Sequence, residues 1–545
     1  MGIPSYFSHI VRCHRKIIKE YKKENEKKKI DNLYLDCNSL IYESVNELNN
    51  KNKDIDKKIN DNVIENKIIY LVCEKIVNLI KLLKPTQKVF IAFDGVAPVA
   101  KLNQQRNRRY KSWFTESFIQ ENELNVKENK NKWDTIAITP GTKFMKNLSL
   151  RINNYFNVDI KKNKNFKLNN IEIIVSSSDV VGEGEHKIFE FIRNNKEYHK
   201  LTTSVIYGLD ADLIMLTLNH LHIAPNMYLF RETPHFIKSL DNTLNPNNNY
   251  LLDIPLFSSI LTHKLNTDKK PSTNQEKMKI YDYIVLCFLL GNDFLPHFPS
   301  LNIRTNGIER VLNAYTCEIG CKNQNLIKND EIVWKCFRNL LINLSKDELD
   351  FIKDEYKIRS NWKKTLKNKS KTIEESLMMV PLKDTCVEDY INPYCDGWEA
   401  RYYKELLDVD IEDEETIKKI CINYFEGIEW TFKYYSTGCI DWRWKYNYDY
   451  PPLLSHLSKY VPYFNTTFIK PVDKNPVSQL LQLAYVLPRN KLNILPEHIF
   501  ETLLKKYSKL YRSDYEFKWC YCRYFWECHV VMPNIDIRLL ENICN

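Results

Sequence analysis

The chain has 545 residues, of which 43% are hydrophobic and 12% aromatic, enough for two or more domains or one large multi-lobed body and too apolar for global disorder. Its formal charge of +10 suits an anionic partner. No apolar stretch approaches the ~20 residues of a membrane-spanning helix, and fifteen scattered cysteines, with no apolar signal core at the N-terminus, point to free thiols in a reducing, intracellular compartment.

In chain order, four apolar runs read as strands: NLYLD ending at Asp36, KVFIAFD at Asp94, IEIIVSSSD at Asp179 and SVIYGLD at Asp210. Between or after them, IIYLVCEKIVNLIKLLK and EHKIFEFIRNN carry helical periodicity. This alternation predicts an α/β fold with a mostly parallel sheet covered on both faces. Ligands bind such sheets beyond the carboxyl ends of the strands, and carboxylates sit at just those ends. The Asn- and Lys-rich stretches 49–67 and 240–277 read as long surface loops. From about residue 300 the pattern turns helical and then aromatic, densest over 429–452. The expected organisation is an α/β catalytic core over 1–300 and a largely helical second region over 301–545.

Seven acids stand out by context: Asp36, Asp94, Glu183, Glu185, Asp210, Asp212 and Asp293. Glu183 and Glu185 flank Gly184 where a loop enters a helix, and Asp210 and Asp212 interrupt the apolar run VIYGLDADLIML. Burying carboxylates without partners costs several kcal/mol each. Oxygen-only ligands favour Mg²⁺ or Mn²⁺ over zinc. One divalent ion would leave the seven charges at −5, and two leave −3. Two ions roughly 3.5–4 Å apart can hold both the attacking and leaving oxygens of an in-line displacement.

After Asp94, residues 101–112 carry five basic side chains and no acid. If Pro98 opens a helix, Lys101, Gln105, Arg108 and Arg109 share one arc of about 100°. Beside a metal site, such a donor face suits a terminal phosphate.

These pieces, together with MGIPSYF, LYLDCNSLIY, AFDGVAPVAKLNQQRNRRY, ITPGTKFM, GEGEHKI, CFLLGNDFLPHFPSLNIR, GWEARYYK and DWRWKYNYDYPP, resemble the eukaryotic-type 5′→3′ exoribonucleases over nearly the whole chain. The resemblance implies a PIN/flap-nuclease-like core and Mg²⁺-dependent, processive hydrolysis of single-stranded RNA from its 5′-monophosphate end to nucleoside 5′-monophosphates. It implies that the seven acids bind the metal ions, and that Lys101, Gln105, Arg108 and Arg109 form a 5′-phosphate pocket closed to a cap or triphosphate. Tyr42, Trp442 and Trp444 become candidates for stacking bases, a sequence-tolerant grip. Tyr42 stands where the family commonly has His, Val99 where Arg is usual and Val181 where Pro is usual, departures that bear on substrate affinity and end selectivity. The chain stops at MPNIDIRLLENICN, where the second conserved region ends, so the resemblance implies a short form without C-terminal extension domains.

Cys317 and Cys321, or Cys520, Cys522, Cys528 and His529, lack a second pair at zinc-finger spacing and read as free thiols. A monomer is expected, in the cytoplasm before the nucleus, and a virus-encoded protein acting in a host cell fits the same reading. Two competing functions are a flap-type, structure-specific DNA nuclease, which shares the acidic frame, and a catalytically inactive RNA-binding scaffold, against which the complete acidic set argues.

Overall fold

A computed structural model describes residues 2–21, 29–51, 60–122, 133–159, 171–231, 237–266, 273–366, 372–470 and 475–544. Seven strands form the main sheet: β1 (Ile18–Glu20), β2 (Asn32–Asp36), β3 (Lys88–Ala92), β4 (Glu172–Ser176), β5 (Ser204–Tyr207), β6 (Met227–Arg231) and β7 (Tyr250–Asp253). Their order is β1-β7-β6-β5-β2-β3-β4. The five strands from β6 to β4 are mutually parallel, and β7 and β1 add antiparallel pairs at one edge. All four expected strands are present, in a mostly parallel α/β sheet.

Alternation along the strands divides the packing. Leu33 and Leu35 of β2, Val89 and Ile91 of β3, and Val205 and Tyr207 of β5 face one core. Tyr34, Phe90 and Ile206 face a second core, which continues without a break through the helices of the second half of the chain. Five helices position the site: α1 (Val99–Asn122), α2 (Gly184–Asn194), α3 (Asp212–His220), α4 (Thr273–Phe288) and α5 (Glu414–Ser436). Helix α5 buries residues around most of its circumference, from Ile417 to Ser436, and so behaves as a core helix rather than an amphipathic surface one. A third core joins Val96, Val99 and Leu102 to the C-terminal segment through Leu481, Tyr485 and Leu540. Away from the sheet, Arg359, 1% exposed, gives Nε and Nη2 to Glu388 at 2.7 and 2.6 Å and Nη1 to the Cys522 carbonyl at 2.8 Å.

Two stretches read as loops prove partly ordered. The helix Asp61–Leu83 starts inside 49–67, where the Asn60 side chain accepts a hydrogen bond from Asn62 N, a capping role that polar composition conceals. The stretch 240–277 contains β7 and the helix Ile254–Leu265, capped by Asp253 with proline in its first turn. Residues 52–59 and 267–272 of those stretches lie outside the described ones. Among the described residues, no helix is long and apolar enough to cross a membrane.

Candidate active site

Because β2, β3 and β5 are adjacent and parallel, their carboxyl ends open on one edge. Asp36 closes β2, Asp94 lies two residues beyond β3 and Asp210 three beyond β5. Glu183 is the N-cap of α2, with Glu185 in its first turn, and Asp212 opens α3. Asp293 follows α4 by five residues. Glu183, Glu185 and Asp212 are 5%, 7% and 3% exposed, whereas Asp210 lies exposed in the turn before α3. The apolar frame around the Asp210–Asp212 pair therefore encloses only its second member.

Three local features bring these groups together. Gly184 N donates to Asp94 Oδ1 at 2.7 Å, as expected where a carboxylate meets a helix N-terminus. A Cβ on Gly184 would stand 2.7 Å from Asp36 Oδ1, so any larger residue between Glu183 and Glu185 would press on that carboxylate. Lys101, in the first turn of α1, reaches Glu183 Oε1 at 2.6 Å and Asp293 Oδ2 at 2.8 Å. Gly2 N also donates to Asp293 Oδ1 at 3.0 Å.

Electrostatics match this crowding. Burial, then Asp94 and Asp210, push the Asp36 carboxyl well above its ordinary value. Burial, then Asp212 and Glu183, do the same to Glu185. Burial and Asp293 push Asp212 up to about 7. Asp293 goes the other way: against the upward push of burial, the Lys101 ammonium holds it below the usual carboxylate range. Lys101 is held well above its ordinary value by Asp293 and Glu183, against burial that would lower it.

Asp36 Oδ1, Glu185 Oε2 and Asp212 Oδ1 are buried without a hydrogen-bond partner. Buried carboxylate oxygens without partners are an open demand for positive charge, and an all-oxygen donor set fits a hard divalent cation. As they stand, no three His, Cys, Asp or Glu among the described residues are grouped so that they could hold a metal ion. Several of the acids are engaged with the chain's own donors, Asp94 with Gly184 N, and Glu183 and Asp293 with Lys101.

The donor face of α1 is only partly free. Lys101 is engaged with the acids, while Arg108 is exposed. Arg109 Nε is buried without a partner, and burial pulls its guanidinium down to about 10, offset in part by nearby Tyr42. Gln105 Oε1 is likewise buried and unpartnered. Val99 points instead into the third core, 1% exposed, with its N–H donating to the Trp442 carbonyl at 3.0 Å. Trp442 is half-buried. Trp444 is 8% exposed, stacked on Trp430 at 5.1 Å, with its indole N–H on Glu426; it packs in the core.

Two kinds of site residue escaped the sequence reading. Asn38 donates to Asp94 Oδ2 and accepts from Asp94 N at 3.0 Å; its place two residues after Asp36 in LYLDCNSLIY is the available signal. Tyr434 of α5 donates to Glu183 Oε2 at 2.7 Å, and nothing in EWTFKYY separates it from core aromatics. The fifteen cysteines are free.

A family model described as the XRN 5′-3′ exonuclease N-terminus matches residues 1–233, and one described as the Xrn1 helical domain matches 273–381 and 355–545. The chain is 28% identical over 607 residues to "5′-3′ exoribonuclease 1" of Homo sapiens, covering 100% of this chain and 34% of the relative. Against "5′-3′ exoribonuclease 2" of Gallus gallus it is 25% identical over 672 residues, covering 99% and 69%. Against "5′-3′ exoribonuclease 1" of Saccharomyces cerevisiae it is 26% identical over 621 residues, covering 91% and 40%. The chain thus spans about a third of the human relative's length.

Proposed function

The chain belongs to the XRN 5′-3′ exonuclease family, and from that premise we propose that it hydrolyses 5′-monophosphorylated single-stranded RNA processively, from the 5′ end, to nucleoside 5′-monophosphates. The observation that carries this reading is the set of buried, unpartnered carboxylate oxygens on Asp36, Glu185 and Asp212, adjoining a helix that presents Lys101 to the same cluster and holds Arg109, with its Nε unpartnered, two turns further on.

Asp36, Asp94, Glu183, Glu185, Asp210, Asp212 and Asp293 are the residues that would hold divalent ions, two Mg²⁺ by preference with Mn²⁺ as substitute. When bound, such ions neutralise the phosphodiester and make water a competent nucleophile near neutral pH. The chain's own residues do the rest. Arg109, Arg108 and Gln105 receive the 5′ phosphate, and Lys101 links that pocket to the acids through Glu183 and Asp293. Tyr42, near Arg109, and Trp442 flank the path of the first base.

Hydrolysis breaks the bond from phosphorus to the 3′ oxygen of the leading nucleotide, and that oxygen departs with a proton from solvent. The next nucleotide keeps the phosphate, so each cycle regenerates the 5′-monophosphate end that α1 reads. Processivity follows from this chemistry if the strand stays bound.

The test is digestion of 3′-labelled RNA bearing a 5′-monophosphate, 5′-hydroxyl or 5′-triphosphate, with Mg²⁺ and then with chelator, beside a flapped DNA. Rapid, Mg²⁺-dependent loss of the monophosphate RNA alone is expected. Preference for the flap would establish the DNA-nuclease alternative instead, and binding of RNA without turnover would establish the scaffold.

A further inference from the structure

The seven acids lie between residues 36 and 293, yet a group that holds one of them comes from the far half of the chain. In α5 the ring of Tyr434 is sandwiched in a column. His186 stacks on it with centroids 3.7 Å apart and planes at 24°. Trp430 stacks at 4.8 Å and 25°, and Trp444 continues the column at 5.1 Å and 26°. Phe294, next to Asp293, meets Trp430 and Tyr434 edge-on at 5.0 and 5.6 Å. Tyr434 is 2% exposed and Trp430 fully buried.

Such a column fixes the ring's position, because a close-packed interior offers no second one. What it fixes here is a hydroxyl. Tyr434 Oη donates to Glu183 Oε2 at 2.7 Å while Lys101 takes Oε1 at 2.6 Å. With both oxygens held by donors on different helices, the carboxylate plane cannot rotate. A phenylalanine at position 434 would fill the same space, so packing alone does not account for the hydroxyl. A buried hydroxyl needs a partner, and here the partner is a carboxylate of the cluster rather than a backbone carbonyl.

We propose that Tyr434 is a positioning residue for the hydrolysis, fixing the Glu183 carboxylate in the orientation from which it holds a divalent ion. The proposal rests on the metal-site reading above. Partners that orient metal-binding carboxylates are worth 10–100-fold in metal affinity or activity when removed.

The test uses the full chain as Tyr434→Phe, which keeps the ring and its stacking. Mn²⁺ binding is measured without RNA, from the electron paramagnetic resonance signal of free Mn²⁺, alongside kcat and KM on monophosphate RNA and the urea midpoint in chelator. Expected is an Mn²⁺ dissociation constant raised roughly tenfold or more, a fall in kcat that high Mn²⁺ partly restores, and a KM within about twofold of wild type. A purely structural role would leave the Mn²⁺ titration of the folded protein where it was, whatever the urea midpoint does, and that result overturns the proposal. Should Tyr434→Phe fail to fold, Tyr434→Met, which also lacks the hydroxyl, takes its place with the same readouts. Wild-type protein that binds no Mn²⁺ would overturn the metal-site reading and the proposal together, whereas wild-type binding matched by the variant would overturn the proposal alone.

Discussion

Replacing Asp212 by asparagine should stabilise the metal-free protein while abolishing its turnover. The carboxyl is 3% exposed, has one oxygen without a partner, and faces Asp293 and Asp210. Its folded value of about 7 lies above the ordinary 3.8, a gap that corresponds to about 4 kcal/mol at 1.36 kcal/mol per pH unit. Between those two values the unfolded chain gives up its proton first, so ionisation favours unfolding, and stability falls as pH rises from about 4 to about 7. The amide carries no charge and escapes this loss. It also forgoes the attraction of Lys101, which offsets part of the gain. A net gain of about 1–3 kcal/mol at about pH 8 is expected, shrinking toward zero at about pH 5. Urea unfolding in chelator at both pH values measures it. Adding Mg²⁺ should then reverse the order, because ions bound only to the folded wild type stabilise it by mass action. The reasoning fails if wild-type stability in chelator is flat across this pH range, or if the asparagine variant is the less stable protein at about pH 8.

Three further substitutions probe other parts of the same picture. Arg109→Ala removes the buried, unpartnered Nε and should raise KM for 5′-monophosphate RNA about 10–100-fold, the equivalent of a charge-assisted hydrogen bond, with little effect on 5′-hydroxyl RNA; equal loss on both ends would place the phosphate elsewhere. Gly184→Ala sets a methyl 2.7 Å from Asp36 Oδ1 and 3.4 Å from Asp94 Oδ1, so kcat should fall at least about 100-fold, and activity within a few-fold of wild type would show that the loop can shift. Arg359→Met strands the buried Glu388 carboxylate and should cost about 3–5 kcal/mol in urea unfolding, while the folded fraction keeps wild-type KM.

The central strands and the acids at their ends were legible because both follow local rules. Near-continuous apolar runs mark strands buried on both faces, and an aspartate directly after such a run can only lie at the carboxyl edge. The same locality made the face of α1 readable from Pro98 onward. The edge strands were not legible. Ile18–Glu20 pairs with Tyr250–Leu252, more than 200 residues away, and a three-residue strand carries no periodicity of its own. The capping roles of Asn60 and Asp253 were hidden by composition, since Asn and Asp serve loops and helix starts alike. Trp442 and Trp444 show the limit most clearly. Two residues apart, they share residue type and neighbours in the sequence, yet Trp444 is stacked on Trp430 and Trp442 sits half-buried against the start of α1.

What joins the two halves of the chain is therefore more than shared apolar packing. A cluster of carboxylates on strand ends is self-repelling, and in this protein the opposing groups are contributed from several directions. Lys101 comes from α1, and the Tyr434 phenol comes from α5. The core that carries α5 is continuous with the face of the sheet formed by Tyr34, Phe90 and Ile206, so α5 cannot withdraw without opening that core. The acids are thus held near one another by packing that the second half supplies, at a cost in metal-free stability that bound ions would relieve. Stability and metal affinity should consequently move in opposite directions when a member of the cluster is neutralised, and together when a group that orients the cluster is removed. Asp212→Asn and Tyr434→Phe, measured side by side, separate those two cases.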